Sequence, residues 1–238
     1  MDQKVLFKVH MPLSVNEPLL KVLHSGFIGQ GEKVEEFEEK LSAYFGNKNV
    51  LSLNSGTSGL HLALRLANVG YDDEVISTPM TCTATNMPVL AAGAKIVWAD
   101  VNPKTGLIDA SSIEKKITPK TKAIIMVHFG GIPCDIDEIN HIAKKYNIKT
   151  IEDGAHAIGA EYKEIKIGNH SDFVMFSLQA IKHFTTIDGG LLLCRNRTDF
   201  ERGKLLRWYG IDREAKRKEF RCEEDVLEYG YKYHMNDI

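Results

Sequence analysis

NVLSLNSGTSGLHLALRLAN, residues 49–68, is the stretch that decides the fold of this chain. It opens on the short apolar run Asn49–Leu53, which is typical of a strand. It closes on Gly59–Asn68, where leucine and alanine recur at the spacing of one helix face. A turn of small polar residues, 54–59, joins the two. A strand that leads through such a turn into a helix is the repeating unit of an α/β protein.

The same alternation continues along the chain on both sides of this helix. Helical spacing recurs at Ile136–Tyr146, and alternating strands and helices predict a mostly parallel sheet flanked by helices. The last two strand-like runs lie close together around Gly189, which predicts a locally antiparallel edge. The further runs with the composition of strands are Glu74–Thr78, Lys95–Asp100, Ala123–His128, Lys149–Glu152, Phe173–Ser177 and Gly190–Cys194.

The C-terminal part of the sequence has a different pattern. After Arg195 the spacing predicts a helix through about Trp208, followed by a charged surface excursion at Asp212–Glu228. Met235–Ile238 has no helix stop signal after it, so these residues are predicted to begin a helix.

The composition excludes several function classes. Thirty basic against 32 acidic residues give a net charge of -2, which offers nucleic acid or an anionic membrane no attraction. The widely spaced cysteines form no C-x-x-C pair, so neither a zinc site nor a redox pair is predicted. Without a disulfide framework, an apolar leader or a run long enough to span a bilayer, the cytoplasm is the expected location. The four cysteines are Cys82, Cys134, Cys194 and Cys222.

The turn Asn54-Ser55-Gly56-Thr57-Ser58-Gly59 is a candidate phosphate site. Small residues at a helix N-terminus let backbone N–H groups, the helix dipole and hydroxyl groups meet an anion. The alternative is a plain N-cap made by Ser55 or Thr57. No Gly-Lys-Ser/Thr sequence closes the turn, so it is not a Walker A loop.

Ile151-Glu152-Asp153-Gly154-Ala155-His156 follows the strand that starts at Lys149. Ligands of α/β sheets collect at the carboxyl ends of strands, and a partly buried carboxylate there needs a cation, for which a protonated pyridine nitrogen would serve. Side chains alternate along a strand, so only one of Glu152 and Asp153 can face such a ligand. For an isolated aspartate, capping a turn is the simpler interpretation.

Lys182 follows another strand, in Phe176-Ser177-Leu178-Gln179-Ala180-Ile181-Lys182-His183. A lysine in a partly apolar setting can attack carbonyl groups, and Ser177 offers a second phosphate ligand. His156 and His183 lack the clustered carboxylates of a metal site, so no metal is predicted. No G-x-S-x-G elbow supports a serine hydrolase, and Cys82 by itself is more typical of a buried core residue than of a nucleophile.

Taken in order, these segments resemble the DegT/DnrJ/EryC1/StrS family of sugar aminotransferases. The matching pieces cover nearly the whole chain, and the ordered set is far more specific than any one piece. They include Gly29-Gln30-Gly31, Asn54-Ser55-Gly56-Thr57, Asp73-Glu74-Val75-Ile76, Ala84-Thr85-Asn86, Glu152-Asp153, Ala155-His156-Ala157, Phe176-Ser177, Lys182, Asp188-Gly189-Gly190, Trp208-Tyr209-Gly210-Ile211 and Gly230-Tyr231-Lys232-Tyr233.

The resemblance implies a fold-type I large domain that binds pyridoxal 5'-phosphate (PLP) within a homodimer. It divides the chain into an N-terminal segment (1–30), the PLP-binding large domain (31–210), and an excursion with the start of a truncated C-terminal region (211–238), the small C-terminal domain being largely missing. It implies that Lys182 holds the cofactor as a Schiff base and shuttles protons. The other implied cofactor ligands are Ser55, Gly56, Thr57 and Ser177 at the phosphate, Asp153 at the pyridine nitrogen, His156 near the ring and its 3-hydroxyl, and Lys232 reaching the neighbouring subunit's phosphate.

The implied reaction moves an amino group from glutamate to a nucleotide-linked keto sugar, in surface polysaccharide or glycoside biosynthesis. Two departures from the family pattern lie at the site: Cys82 stands where relatives often carry an aromatic that stacks on the pyridine ring, and Ile187 replaces a small residue. Two alternatives stay open. One is a truncated remnant that binds PLP without turnover. The other is a related PLP-dependent sugar dehydratase, although those relatives have histidine in place of the lysine.

Overall fold

A computed structural model of the chain describes residues 8–214 and 226–238. All seven predicted strands are confirmed, two of them at both ends and the others with ends that differ by at most two residues from the prediction. They are β1 (Val50–Leu53), β2 (Glu74–Ser77), β3 (Lys95–Trp98), β4 (Thr121–Val127), β5 (Lys149–Asp153), β8 (Phe173–Ser177) and β9 (Gly190–Cys194), and a separate hairpin is formed by β6 (Glu161–Tyr162) and β7 (Ile165–Lys166).

The helices are α1 (Asn16–Leu23), α2 (Glu32–Phe45), α3 (Gly56–Leu66), α4 (Thr83–Ala91), α5 (Ala110–Lys116), α6 (Ile136–Tyr146) and α7 (Arg197–Leu206). The prediction of α6 is confirmed at both ends. Helix α3 begins three residues earlier than predicted, because Ser55 caps it. The predicted helix start at Met235–Ile238 is wrong: these residues are not helical, although Asn236 Oδ1 accepts the N–H of Ile238, as an N-cap side chain would.

The sheet has the strand order β1-β9-β8-β5-β4-β2-β3. The antiparallel pairing of β8 and β9 is confirmed, but the predicted edge position is wrong. Strand β9 lies between β8 and β1 and runs antiparallel to both. The short connection 178–189 turns the chain back beside β8, and β1 satisfies the other side of β9. The sheet is therefore mostly parallel with one reversed inner strand.

Both faces of the sheet are buried, because side chains of opposite parity belong to two different clusters. On β8, Phe173 and Met175 pack toward α3, α4 and α7, whereas Val174 and Phe176 pack toward α2, α5 and α6. Strand residues buried on both faces explain the continuous apolar runs in the sequence. The fold is a three-layer α/β/α arrangement, which leaves the carboxyl ends of the parallel strands open at one edge.

Part of the predicted excursion Asp212–Glu228, namely residues 215–225 with Cys222, lies outside the described residues. The division into segments 1–30, 31–210 and 211–238 stays a prediction. Within residues 8–214 and 226–238, no helix has the length and apolar character needed to cross a membrane.

Candidate active site

One cavity of about 340 Å³ opens where β1, β5 and β8 end. That volume suits a small cofactor. It gathers eight of the nine predicted site residues from segments far apart in sequence. They are Ser55, Gly56, Thr57, Cys82, Asp153, His156, Ser177 and Lys182.

Ser55 is the N-cap of α3, and its hydroxyl group both accepts and donates a hydrogen bond within the first turn. Ser55 Oγ accepts the N–H of Ser58 at 3.0 Å. The hydroxyl of Ser58 donates to Asn54 Oδ1 at 2.7 Å, and Asn54 Nδ2 donates to the carbonyl of Lys232. The only proton of Ser55 therefore goes to Ser58 Oγ, 2.9 Å away. The capping alternative holds for this side chain, and its proton is not free for an anion.

The donors left for an anion lie on the next two residues and on β8. The N–H groups of Gly56 and Thr57 are in the first turn of α3, where no helical carbonyl accepts them. The Thr57 and Ser177 hydroxyls border the same space. Glycine at 56 permits a close approach, because a Cβ there would come within 2.9 Å of Met175 Sδ and 3.1 Å of the Ser177 Cβ. This close approach is what brings β8 beside the helix N-terminus.

Asp153 supplies a buried carboxylate to the cavity, with 4% of its surface exposed. Its Oδ2 accepts from the Thr85 hydroxyl at 2.7 Å, and its Oδ1 accepts from the N–H of Ala155 at 3.1 Å. Among the described residues, no lysine, arginine or histidine forms an ion pair with it. A buried carboxylate held by neutral donors is suited to a cationic ligand.

Glu152 faces the opposite side of β5 and does not line the cavity. Its Oε2 lies 2.9 Å from His128 Nε2, and both side chains are fully buried. The sequence offered Glu152 and Asp153 as alternative partners for a cationic ligand. Of these two, Asp153 is the one that lines the cavity.

The ring of His156 borders the cavity as a neutral imidazole. Its Nδ1 accepts the N–H of Gly130 at 3.3 Å, so the ring proton is on Nε2. Partial burial, followed by the positive charge of Lys182, holds the pKa of His156 below its ordinary value. The ring therefore offers the cavity an N–H donor rather than a charge.

Lys182 lies in the turn between β8 and β9, and its backbone N–H donates to Gln179 O at 2.9 Å. No carboxylate of the described residues forms an ion pair with its Nζ, so the amine is not held elsewhere. The same turn holds Ile187 at a φ of 71°. A β-branched side chain in that left-handed region is strained, and such strain is characteristic of functional turns.

Two predicted residues lie in unexpected surroundings. Cys82 is exposed at the N-cap position of α4 and lines the cavity, so the interpretation as a buried core cysteine is wrong. Lys232 lies outside the cavity, with its Nζ 5.3 Å from the centre of the Trp208 ring. Within the described part of the chain, no group of three or more His, Cys, Asp or Glu could hold a metal ion.

The sequence reasoning missed Thr85 as a site residue. Its hydroxyl bonds both Asp153 and the Thr81 hydroxyl, 2.7 Å away in each case. Two signals pointed to Thr85: it belongs to the matching piece Ala84-Thr85-Asn86, and it stands in the first turn of a helix that follows a strand. Gln179, Ile181 and Asp188 also line the cavity from the turn that carries Lys182.

The three-layer sheet and this cavity define an α/β protein of the fold found in PLP-dependent aminotransferases. The sequence model of the DegT/DnrJ/EryC1/StrS aminotransferase family matches residues 14–238. The chain belongs to this family.

Two curated relatives and one solved structure show the range of similarity. A UDP-4-amino-4,6-dideoxy-N-acetyl-beta-L-altrosamine transaminase of Campylobacter jejuni is 38% identical over 225 residues, which are 93% of this chain and 58% of the relative. The spore coat polysaccharide biosynthesis protein SpsC of Bacillus subtilis is 35% identical over 234 residues, 96% of this chain and 60% of the relative.

The structure is that of Spr1654 from Streptococcus pneumoniae, described as a candidate sugar aminotransferase and solved in a PLP form. It is 31% identical, with a TM-score of 0.88, over 99% of this chain and 64% of that one. The chain thus spans less than two thirds of the length of each of these relatives.

Proposed function

We propose that this chain binds PLP and serves in the transfer of an amino group from glutamate to a nucleotide-linked keto sugar, in surface polysaccharide or glycoside biosynthesis. The observation that carries the proposal is that Lys182, the Asp153 carboxylate and the N-terminus of α3 meet in one cavity. The names of the relatives support a nucleotide sugar as substrate and polysaccharide synthesis as the setting. The choice of glutamate rests on the family resemblance alone.

The residues of the cavity fit this cofactor. The N–H groups of Gly56 and Thr57, with the Thr57 and Ser177 hydroxyls, suit its phosphate. Asp153, which lacks a cation among the described residues, suits its protonated pyridine nitrogen. Cys82 is smaller than an aromatic ring, so it leaves one face of the cofactor less covered than in many relatives.

When bound, the cofactor supplies an electron sink for negative charge at the reacting carbon. Lys182 would hold it through Nζ, and the same amine, when free, would move a proton at the reacting carbon. Asp153 would favour the protonated pyridine nitrogen. His156, which offers the cavity an Nε2–H, would help to orient the ring.

Two further features belong to the proposal. The protein acts as a homodimer, in which Lys232 reaches the phosphate bound by the partner subunit. It works in the cytoplasm. The homodimer is supported by the family resemblance and is tested by sedimentation. The cytoplasmic location is supported by the dispersed cysteines and is tested by cell fractionation.

The test is spectroscopic. Purified protein with PLP is expected to be yellow, to change its absorption when glutamate is added, and to carry the cofactor on Lys182 after borohydride reduction. Lys182→Ala removes the covalent attachment, so borohydride fixes nothing on that variant. Lys166→Ala is the matched control, because Lys166 lies outside the cavity and donates to the carbonyl of Tyr44. A colourless wild-type protein, or colour unaffected by Lys182→Ala, contradicts the proposal.

The second candidate function is a PLP-binding remnant without turnover. The chain spans 58% of the Campylobacter jejuni transaminase and 64% of Spr1654, so turnover is tested separately from PLP binding. Yellow protein with no response to glutamate would identify the remnant. The dehydratase alternative has less support, because Lys182 lines the cavity while His183 Nε2 donates to the carbonyl of Ile158 at 2.9 Å.

A further inference from the structure

Glu152 has a fully buried carboxyl group, and the proposed reaction assigns it no role. One oxygen, Oε2, accepts from His128 Nε2 at 2.9 Å. The other, Oε1, has no hydrogen-bond partner among the described residues. A half-satisfied buried carboxyl group is costly to keep, so a reason for it is expected near the site.

The groups that face Glu152 bring it no positive charge. His128 Nδ1 accepts the N–H of Cys134 at 3.1 Å, so the ring carries its single proton on Nε2 and is neutral. Burial, with the negative charge of Glu152 second, raises the pKa of the Cys134 thiol to about 12, and the thiol stays protonated. The neighbours across the two strands, Met126 on β4 and Val174 on β8, are apolar.

His128 also ties this group to the cavity. Its backbone N–H donates to the carbonyl of Asp153 at 3.1 Å, and the residue is among those that line the cavity. Glu152 and Asp153 are consecutive residues on opposite faces of β5. The titratable groups that border the cavity from the other side are Cys82, Asp153, His156, Lys182 and Asp188, and Lys182 is the one amine among them.

We infer that Glu152 supplies a second negative charge behind Asp153, which favours the protonated form of the cofactor bound at the cavity, and that His128 positions it. The inference rests on the proposed function. A cation on the far side of β5 would lower the cost of an ionised, half-satisfied carboxylate there. As a general scale, two unit charges about 10 Å apart at an effective dielectric constant of about 20 shift each other's titration by roughly one pH unit.

The experiment is an absorption titration of the PLP-loaded protein against pH. Glu152→Gln keeps an acceptor for His128 and removes the charge. The protonated form then loses stabilisation, so the midpoint of the absorption change is expected to fall by roughly one pH unit while PLP stays bound. Glu114→Gln is the matched control, because Glu114 is an exposed carboxylate paired with Lys145; its midpoint is expected to equal that of the wild type.

Should Glu152→Gln not fold, Glu152→Met fills the same space without polar atoms and is expected to show the same fall. A midpoint that stays at the wild-type value, or rises, in a variant that binds PLP overturns the inference and leaves the proposed function standing. Failure of the wild-type protein to bind PLP overturns the proposed function, and the inference with it.

Discussion

At the scale of single residues, hydrogen-bond geometry separates side chains that the sequence placed in one group. Ser55 and Thr57 are both small hydroxyl residues at the start of α3. Asn54 Nδ2 donates to the carbonyl of Lys232, so Asn54 Oδ1 is the atom that faces Ser58 and accepts the proton of the Ser58 hydroxyl. Ser58 Oγ then accepts the proton of the Ser55 hydroxyl. Thr57 has no such commitment among the described residues, so its hydroxyl is available to a phosphate. The two residues therefore have different tasks.

This difference predicts that two conservative substitutions affect different properties of the protein. Ser55→Ala removes the cap of α3, and it is expected to cost about 1 kcal/mol, or about 2–4 °C in Tm. It should weaken PLP and pyridoxal, which lacks the phosphate, by the same factor. Thr57→Val is expected to weaken PLP about tenfold and to leave pyridoxal binding and Tm unchanged. Equal selectivity for PLP over pyridoxal in both variants, measured by equilibrium titration, would refute the assignment.

At the scale of elements, helix α2 is capped by a residue more than two hundred positions away. Its N-cap residue, Gly31, has no side chain with which to cap. Asp237 Oδ1 accepts the N–H groups of Gly31 at 2.8 Å and Val34 at 3.1 Å instead. A Cβ at position 31 would come within 2.9 Å of the Asp237 carboxylate, which explains the glycine. The cap joins the segment after residue 226 to the body of the fold.

Asp237→Ala is therefore expected to destabilise the protein by about 1 kcal/mol, a fall of about 2–4 °C in Tm by calorimetry. The missing acceptor leaves the first N–H groups of α2 without a partner. Asp237→Asn is the control, since its amide oxygen can still accept from Gly31 and Val34, and most of the stability should return. An unchanged Tm in the alanine variant would show that the cap contributes nothing.

At the scale of the whole molecule, the half-buried His234 makes the stability depend on pH. His234 contacts the Trp208 ring, with centroids 3.5 Å apart. Burial, followed by the charges of Lys232, Arg213 and Arg207, lowers the pKa of His234 to about 4. The unfolded chain binds this proton near pH 6.5, so it binds more protons than the folded state between those two values. Stability must then fall as the pH drops from about 6.5 to about 4.

His234→Phe keeps the aromatic contact with Trp208 and cannot titrate. We expect the plot of Tm against pH to become flatter between pH 6.5 and 4 in this variant than in the wild type. The paired carboxylates Glu36 and Asp72, whose pKa values are lowered to about 2 by lysine hydrogen bonds, lose their contribution only below about pH 4. Parallel Tm curves in the upper window would show that His234 is not responsible.

The sequence by itself determined the alternation of strands and helices, the ordered family motifs, and the choice of Lys182 and Asp153 as site residues. These features depend on neighbours within a few positions, or on a pattern that survives without coordinates. Only the tertiary structure decided that β9 lies inside the sheet, that Thr85 holds Asp153, that Ser55 has no proton to give, and that Asp237 caps α2. Each of these depends on hydrogen-bond partners that packing brings together from distant parts of the chain. The local sequence around one partner does not specify the other.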